Sequence, residues 1–416
     1  YTRKITIDPA FVTQCAENVK SSTNWTIGGR TLSVDFVTRL GDIATVLGLG
    51  GDCLINPPGT NWDSPDRFAS DTFSPGKPTT IDVLNKIAYL GLDKAPFLVI
   101  ADTTGAYLGQ DFSDPLFLPF ANGFNLGATP NSIDVIKWND PLGGFKNYAF
   151  LAMNTATDQL KVVDVTDIAN PVLKATIPLS PCVTGAAPQG WRLYAYKDRL
   201  YFLTRYTAGP EFHIFDISNP ISPSEIGAGA CKGFELGDTA ESIEVRDQAI
   251  GGSTIRFVYL ATDEVDKELR VLDVTNPLAI TNVNTATQDL PGAQDGQSVY
   301  IVGNKLYFGR QSTPGGPDLY VFNITDPTIS LPLLGSQDIG TGVIAIRVAG
   351  PLSFLETPKV NKEFQVWNIS NLGSIFLIKE YNFGNVVSQG IDYEYDFVYA
   401  TGQATPNFQI LYDSTP

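Results

Sequence analysis

Four carboxylates recur at one position of a repeated sequence context. Asp82, Asp134, Glu244 and Asp392 each follow an isoleucine in a short alternating segment, and Arg347 takes the same position in a further copy. Carboxylates brought together can bind a cation, raise one another's pKa, or serve as general acid and general base. These five residues are therefore candidates for a ligand or cation site. The alternative, which we favour, is solvated polar side chains at a wet channel mouth.

The elements that must position these residues belong to a repeated unit. Its most regular part is a phrase that reads Leu-Lys-Val-Val-Asp-Val-Thr in its clearest copy. The phrase occurs at residues 160–166, 212–218, 269–275, 319–325 and 364–370, with weaker copies at 98–102 and 408–412. A unit repeated at about 45–60 residues predicts a propeller, a solenoid or an array.

Each copy contains short alternating strands separated by Gly, Asn and Pro, which predicts a four-stranded antiparallel meander. The Asp or Asn near the end of each phrase suits an Asx-turn, and an aromatic residue recurs in each second strand, where it can fill the wedge between stacked sheets. We therefore predict an all-β protein, a seven-bladed β-propeller of four-stranded blades. First strands line the channel of a propeller, so the five candidates would converge there, with Tyr194 and Tyr300 at the remaining positions.

The predicted domains are a small N-terminal β-rich segment at residues 1–60 and the propeller at residues 61–416. In the first, we expect strands at residues 2–8, 23–27 and 31–40, with Gly28-Gly29 as a hairpin turn. The seventh repeat lacks a fourth strand of its own. We expect residues 67–73 to supply it beside residues 408–412, which would close the ring.

Composition excludes some classes of partner. The chain has 416 residues, a net charge of −16, 43% hydrophobic residues and 17% charged residues. An acidic surface disfavours nucleic acid and anionic lipid, and no apolar run is long enough to span a membrane. No nucleophile elbow, EF-hand loop or dinucleotide motif occurs, so we expect no cofactor, no metal and no catalytic residue. The single histidine, His213, we interpret as structural.

The four cysteines, Cys15, Cys53, Cys182 and Cys231, allow three disulfide connectivities. We expect the two sequence-local pairs, Cys15 with Cys53 and Cys182 with Cys231, and hence an oxidising, extracellular or cell-surface location. The alternative is four buried free thiols in a cytosolic protein. The chain begins with Tyr rather than Met, which suggests a processed or truncated product. Of three glycosylation sequons, those at Asn323 and Asn368 lie in the phrase and would serve its turn.

The repeats resemble the LVIVD-type β-propeller repeats of bacterial and archaeal surface proteins. The seven phrases carry this resemblance, with Val274-Thr-Asn-Pro and Ile217-Ser-Asn-Pro closest to that family's turn, over residues 66–416. Residues 1–7 and 29–40 look like the head of prepilin-type proteins. That family's N-terminal apolar helix, which packs into type IV pili, is not present in this sequence. The resemblance implies a surface protein with a pilin-like head.

Our leading hypothesis is a non-enzymatic extracellular protein for display or adhesion, or a filament subunit, whose partners are other subunits or an extracellular ligand. Its variable loops join second to third strands and should share one face. These loops are residues 207–211, 263–268, 311–318 and 357–362. One alternative is a propeller enzyme that acts on carbohydrate through the channel carboxylates. Another is a secreted lectin-like or cation-binding module.

Overall fold

The computed structural model describes residues 2–7, 16–27, 30–41, 62, 65–103, 123–179, 189–205, 209–227, 232–312, 314–383, 388–394, 397–403 and 406–413. All regular elements in these ranges are β-strands, and no helix there could cross a membrane. All four cysteines lie outside the described residues, so both expected disulfides stay predictions.

Three strands near the N-terminus form one antiparallel sheet in the order β1-β2-β3. They are β1 (Thr2–Ile7), β2 (Ala16–Ile27) and β3 (Arg30–Gly41). The expected strands are present, but β2 begins at Ala16 rather than at residue 23. Its first half is polar and lacks clear alternation, and it is held as a strand by pairing with β1 on one side and β3 on the other. The sheet gives no support to the prepilin-type resemblance.

Seven four-stranded antiparallel sheets follow, which confirms the predicted seven-bladed propeller. The strand that precedes blade 1 is β4 (Pro65–Asp71). Blade 1 contains β5 (Pro78–Leu84), β6 (Ile87–Leu92), β7 (Phe97–Asp102) and β8 (Phe124–Asn125). Blade 2 contains β9 (Pro130–Asn139), β10 (Phe145–Met153), β11 (Leu160–Asp164) and β12 (Val172–Ile177). Blade 3 contains β13 (Gly190–Tyr196), β14 (Arg199–Thr204), β15 (Phe212–Asp216) and β16 (Ser224–Ile226). Blade 4 contains β17 (Ala240–Ile250), β18 (Ser253–Thr262), β19 (Leu269–Asp273) and β20 (Thr281–Asn282). Blade 5 contains β21 (Gly296–Val302), β22 (Lys305–Arg310), β23 (Leu319–Asn323) and β24 (Leu333–Gln337). Blade 6 contains β25 (Ala345–Ala349), β26 (Leu352–Glu356), β27 (Phe364–Asn368) and β28 (Phe376–Tyr381). Blade 7 contains β29 (Ser388–Glu394), β30 (Phe397–Gly402) and β31 (Phe408–Asp413), and β4 is its fourth strand.

The ring is closed by strand exchange between the two ends of the propeller. β4 pairs antiparallel with β31, with Asp71 opposite Phe408 and Pro65 opposite Asp413. The first strand of each blade contacts the first strands of both neighbouring blades, and β29 contacts β5. The seven first strands therefore surround a central channel.

The core is divided among the interfaces between blades. Each interface has its own cluster of buried apolar side chains, including one that joins blade 7 to blade 1 through Tyr399, Phe408 and Ile81. Second and third strands are buried on both faces because blades stack face to face, whereas fourth strands such as β12 are largely exposed. This packing explains why the phrase is almost continuously apolar.

The Asx-turns predicted at the phrase ends are confirmed. Asp273 Oδ1 accepts the Thr275 N–H at 2.9 Å, and Asn323 Oδ1 accepts the Thr325 N–H at 2.9 Å. Asn368 does the same with Ser370 at 3.0 Å. Two of the three sequon asparagines therefore use their side chains to hold a turn.

Candidate functional site

The structure places the five candidate residues at one level of the channel. In every blade this position pairs across the first hairpin with a buried aromatic residue of the second strand, as Asp82 does with Tyr89 and Arg347 with Phe354. The seven residues at this level, called the channel ring here, are Asp82, Asp134, Tyr194, Glu244, Tyr300, Arg347 and Asp392. The regular register results from repeated hairpins of matching length.

Three ring carboxylates bind the backbone of the next blade. Asp82 Oδ2 accepts the Val135 N–H at 2.6 Å, and Asp134 Oδ2 accepts the Ala195 N–H at 2.6 Å. Asp392 Oδ2 accepts the Val83 N–H at 2.8 Å across the closure of the ring. In each case the donor follows a ring residue of the neighbouring blade. These carboxylates therefore join adjacent blades, a structural role that the sequence does not predict.

Asp392 also forms the ion pair of the ring. Arg347 Nε donates to Asp392 Oδ1 at 2.9 Å, and the Arg347 guanidinium lies 5.2 Å from the centroid of the Tyr300 ring. Burial by itself lowers the pKa of Arg347, but Asp392, Tyr300 and Glu244 together outweigh burial and raise it above its ordinary value. Arg347 is therefore a fixed cation at this level of the channel.

Burial among like charges alters the acidity of two ring carboxylates. It raises the pKa of Asp134 to about 6, and the charge of Asp392 adds to the rise. The pKa of Asp82 is raised well above its ordinary value by burial, then by Asp134 and Asp392. Glu244, which is 8% exposed, lines the same channel from blade 4. The acidic side of the ring is therefore under electrostatic strain at neutral pH.

The channel holds a cavity of about 850 Å³. Trp191, Arg192 and Arg205 line it at the end where the first strands begin. Both guanidinium groups stack on Trp191, at 4.1 Å for Arg192 and 3.9 Å for Arg205 from the ring centroid. Among the residues that the structure describes, no group of three or more His, Cys, Asp or Glu side chains is arranged to hold a metal ion.

One channel residue was missed by the sequence analysis. Glu356 ends β26, opposite Ala345, two residue pairs nearer the Trp191 end than the ring. Its side chain is 0% exposed yet lines the cavity, and burial raises its pKa well above the ordinary value. The Gly390 N–H and Arg347 lower that pKa, but neither carboxyl oxygen has a well-formed hydrogen bond within the described ranges. Aligning the second strands would have revealed this residue.

A second set of missed residues stands directly before the third strands. These polar side chains are buried and accept backbone N–H groups from the chain that follows the fourth strand. They are Gln159, Glu211, Glu268, Asp318, Glu363 and Asn407. Asp318 Oδ2, for example, accepts from Ile339 at 3.1 Å and Gly340 at 3.0 Å. The signal in the sequence is a Glu, Asp, Asn or Gln immediately before the phrase.

Glu268 has a buried cation beside it. Arg310 Nη2 lies 3.1 Å from Glu268 Oε1, and both side chains are 0% exposed. Arg310 also donates to the carbonyl oxygens of Pro291 and Gln294. These contacts tie the start of a variable loop to the connection between blades 4 and 5.

His213 lies within blade 3, away from the channel. It is 2% exposed, with Nδ1 2.7 Å from Glu225 Oε1 and Nε2 2.9 Å from the Pro210 carbonyl oxygen. A carbonyl only accepts hydrogen bonds, so Nε2 carries a proton. Both ring nitrogens serve the blade, in agreement with a structural role.

The variable loops share a face with the connections between blades. Asp263 N–H donates to Thr239 O at 3.0 Å, and Gln311 N–H donates to Asp295 O at 2.9 Å. Burial raises the pKa of Asp263 to about 7, with further increases from Glu241 and Asp295. This face, called the loop face here, thus concentrates negative charge around blades 4 and 5.

The fold defines a class of protein, the seven-bladed β-propeller built from sequence repeats. The family model that matches the sequence is the LVIVD repeat, at residues 146–177 and 206–229. The chain is therefore a β-propeller repeat protein with LVIVD repeats. No curated protein matches it.

Solved structures share its fold at low identity. A chain of the Mitotic Checkpoint Complex is 11% identical with a TM-score of 0.54, over 87% of this chain and 98% of that one. A candidate 6-phosphogluconolactonase from Bacteroides fragilis NCTC 9343 is 11% identical with a TM-score of 0.53, over 88% and 91%. YCF48 from Cyanidioschyzon merolae is 10% identical with a TM-score of 0.51, over 84% and 98%. At such identity, the likeness concerns the fold alone.

Proposed function

We propose that this protein is a non-enzymatic extracellular display protein whose propeller mediates adhesion or assembly. One observation carries the proposal: three of the four ring carboxylates, on which the enzymatic alternative depends, each accept a backbone N–H of the next blade. A carboxylate fixed in this way stabilises the scaffold and is poorly placed to attack or protonate a substrate. A rigid propeller with variable loops is a typical binding scaffold.

The exposed apolar side chains lie on the two faces of the propeller as well as on its rim. On the loop face, Val265 is 52% and Val360 62% exposed. On the opposite face, in the connections between third and fourth strands, Leu278 is 63% and Ile329 71% exposed. Side chains of this kind support contact with a partner. Paired variants on the two faces can therefore identify the binding face. We propose the loop face, because its loops vary most between repeats.

The test compares the two faces. Cells that produce the protein would be labelled with antibody, and adhesion would be measured for Val265→Ser with Val360→Ser against Leu278→Ser with Ile329→Ser. We expect surface labelling, and adhesion lost only in the first pair. Loss only in the second pair would assign binding to the opposite face. Cytoplasmic retention with four free thiols by mass spectrometry would overturn the proposal.

The enzymatic alternative has its own assay. We expect no hydrolysis of 6-phosphogluconolactone by the purified chain, because three of the four ring carboxylates are held by backbone N–H groups of neighbouring blades. Turnover that disappears in Asp134→Asn would instead establish the channel as an active site.

A further inference from the structure

The N-terminal sheet of β1, β2 and β3 has one apolar face. Its register places Trp25 opposite Leu32 and Ile7 opposite Val19, so these four residues share a face. Further apolar residues of the same face are Ile5, Val34, Phe36 and Leu40. In the described part of the chain, the three strands pair only with one another. A sheet with one apolar face needs another element of structure to cover that face.

Blades 5 and 6 expose a matching apolar surface on the rim of the propeller. The outermost strand of blade 5 begins with Leu333 and Leu334, which are 54% and 38% exposed. The outermost strand of blade 6 begins with Phe376 and Leu377, which are 52% and 38% exposed. We call these four residues the rim patch. Exposed apolar side chains that cluster in this way are typical of a contact site.

The two halves of the rim patch belong to one surface. A Cβ at Gly335, directly after Leu334, would lie 2.1 Å from the carbonyl oxygen of Leu372, which precedes β28. The turn of blade 6 therefore lies against β24 of blade 5. In blades 3 and 4, the outermost strands begin with polar residues, Ser224-Glu225 and Thr281-Asn282. The fold does not require apolar residues at these positions.

The chain joins the propeller at blade 6. Trp62, three residues before β4, is 0% exposed, and its ring centroid lies 4.7 Å from that of Phe354. Ile378 of β28 packs against the same buried cluster. The twenty residues 42–61 connect β3 with Trp62 and can span up to about 65 Å. The N-terminal sheet can therefore reach the rim patch, which includes the blade that holds Trp62.

Charge and the tether favour docking within one chain. Residues 1–41 contain five Lys and Arg against three Asp and Glu, whereas the whole chain has a net charge of −16. A weakly basic sheet is attracted to an acidic propeller, while two acidic propellers repel each other. The tether also makes the docking intramolecular, which favours the chain's own sheet over that of a second copy.

We propose that the N-terminal sheet packs its apolar face on the rim patch of blades 5 and 6 of the same chain. The contact would cover both apolar surfaces at once. It does not depend on the proposed function, because it concerns neither the loop face nor adhesion.

The experiment is amide hydrogen exchange of the full chain, measured by mass spectrometry over β2, the central strand of the sheet. We expect β2 to be protected to an extent that does not change with protein concentration. Leu333→Ser with Phe376→Ser should make exchange in β2 at least about tenfold faster, because it removes much of the apolar cover of the sheet.

The matched control is Val172→Ser with Leu173→Ser. These two residues begin β12, the outermost strand of blade 2, and are 48% and 43% exposed. The two pairs therefore match in position and exposure and differ in the blade. Substitutions at exposed positions rarely unfold a protein, so both variants should fold. In the control, exchange in β2 should equal that of the wild type.

Crosslinking locates the contact independently. Lys4 and Lys20 belong to the face of the sheet opposite the apolar one. Lys379 and Lys174 lie on the outermost strands of blades 6 and 2. An amine-reactive crosslinker should join Lys4 or Lys20 to Lys379, and links to Lys174 instead would contradict the proposal.

The exchange experiment has three outcomes that would overturn the proposal. Rapid exchange of β2 in the wild type would show that the sheet is not docked. Equal exchange in the rim-patch variant and the control would place the cover of the sheet elsewhere, for example in residues 42–61. Protection that increases with protein concentration would assign the rim patch to the sheet of a second copy.

Discussion

Glu356 and Glu363 are two buried glutamates of blade 6 with opposite surroundings. Glu363 is 1% exposed, and its carboxylate accepts the Phe383 N–H at 3.0 Å and the Asn361 N–H at 2.9 Å. Glu356 is 0% exposed, and neither of its oxygens has a well-formed hydrogen bond within the described residues, although the Gly390 N–H lowers its pKa. Burial and residue type are therefore the same, and the available donors decide whether a buried acid stabilises the fold.

The largest effect on stability should come from removing the cation that pairs with a buried acid. Replacing Arg310 by Ala leaves Glu268 buried without its cation, which should lower the free energy of unfolding by about 3–5 kcal/mol. Urea denaturation measures the change. Lys267→Ala, which removes a partly exposed cation in the same loop, is the control and should cost less than about 1 kcal/mol. Equal costs would show that the buried ion pair contributes no more than a surface pair.

The glutamate comparison itself gives the second prediction. Glu363→Leu should lower the free energy of unfolding by about 2–3 kcal/mol, because two backbone N–H groups lose a charged acceptor. Denaturation at pH 7.5 tests it. Stabilisation by this substitution would mean that the hydrogen bonds to Glu363 do not offset its burial.

The same substitution at Glu356 should change the free energy of unfolding in the opposite direction. Glu356→Leu removes an unpartnered polar group and should raise the free energy of unfolding by about 1–2 kcal/mol at pH 7.5. The gain should shrink at low pH. The folded pKa is raised, so the stability that protonation provides is present in acid and is lost as pH rises. Destabilisation at every pH would remove the contrast between the two glutamates.

The smallest effect concerns the channel ring. Because the pKa of Asp134 rises to about 6, its contribution to stability falls as pH increases from about 4 to about 6 and is constant above that. In Asp82→Asn with Asp134→Asn, each amide oxygen can still accept the backbone N–H, and the double variant should flatten this dependence. We expect a gain of about 1 kcal/mol at pH 7.5, limited by solvent screening in the channel. Thermal melts between about pH 4 and 8 would measure it, and an unchanged profile would contradict the expectation.

The repeated phrase made most of the fold predictable. The third strand of blade 5, Leu319–Asn323, lies within the phrase at residues 319–325. The ring level follows from aligned first strands such as those that carry Asp82 and Asp392. The polar residues before the third strands were also visible in the sequence. Their role was not, since five of the six bind N–H groups 20 to 25 residues away, and Asn407 binds the Phe73 N–H from the other end of the propeller. Glu356 could have been found by aligning the second strands, but its burial beside the channel could not.

The sequence by itself determined the all-β repeat, its turns and the residues that face the channel, because strand alternation and Asx-turns depend on neighbours close along the chain. Only the tertiary structure decided which polar groups find partners. Asp82 accepts a hydrogen bond from the backbone of the next blade, and Glu363 accepts one from the chain that follows the fourth strand of its own blade. Glu356 lines the cavity. The physical reason is that a hydrogen bond needs a donor within about 3 Å, and that distance is set by how the blades pack.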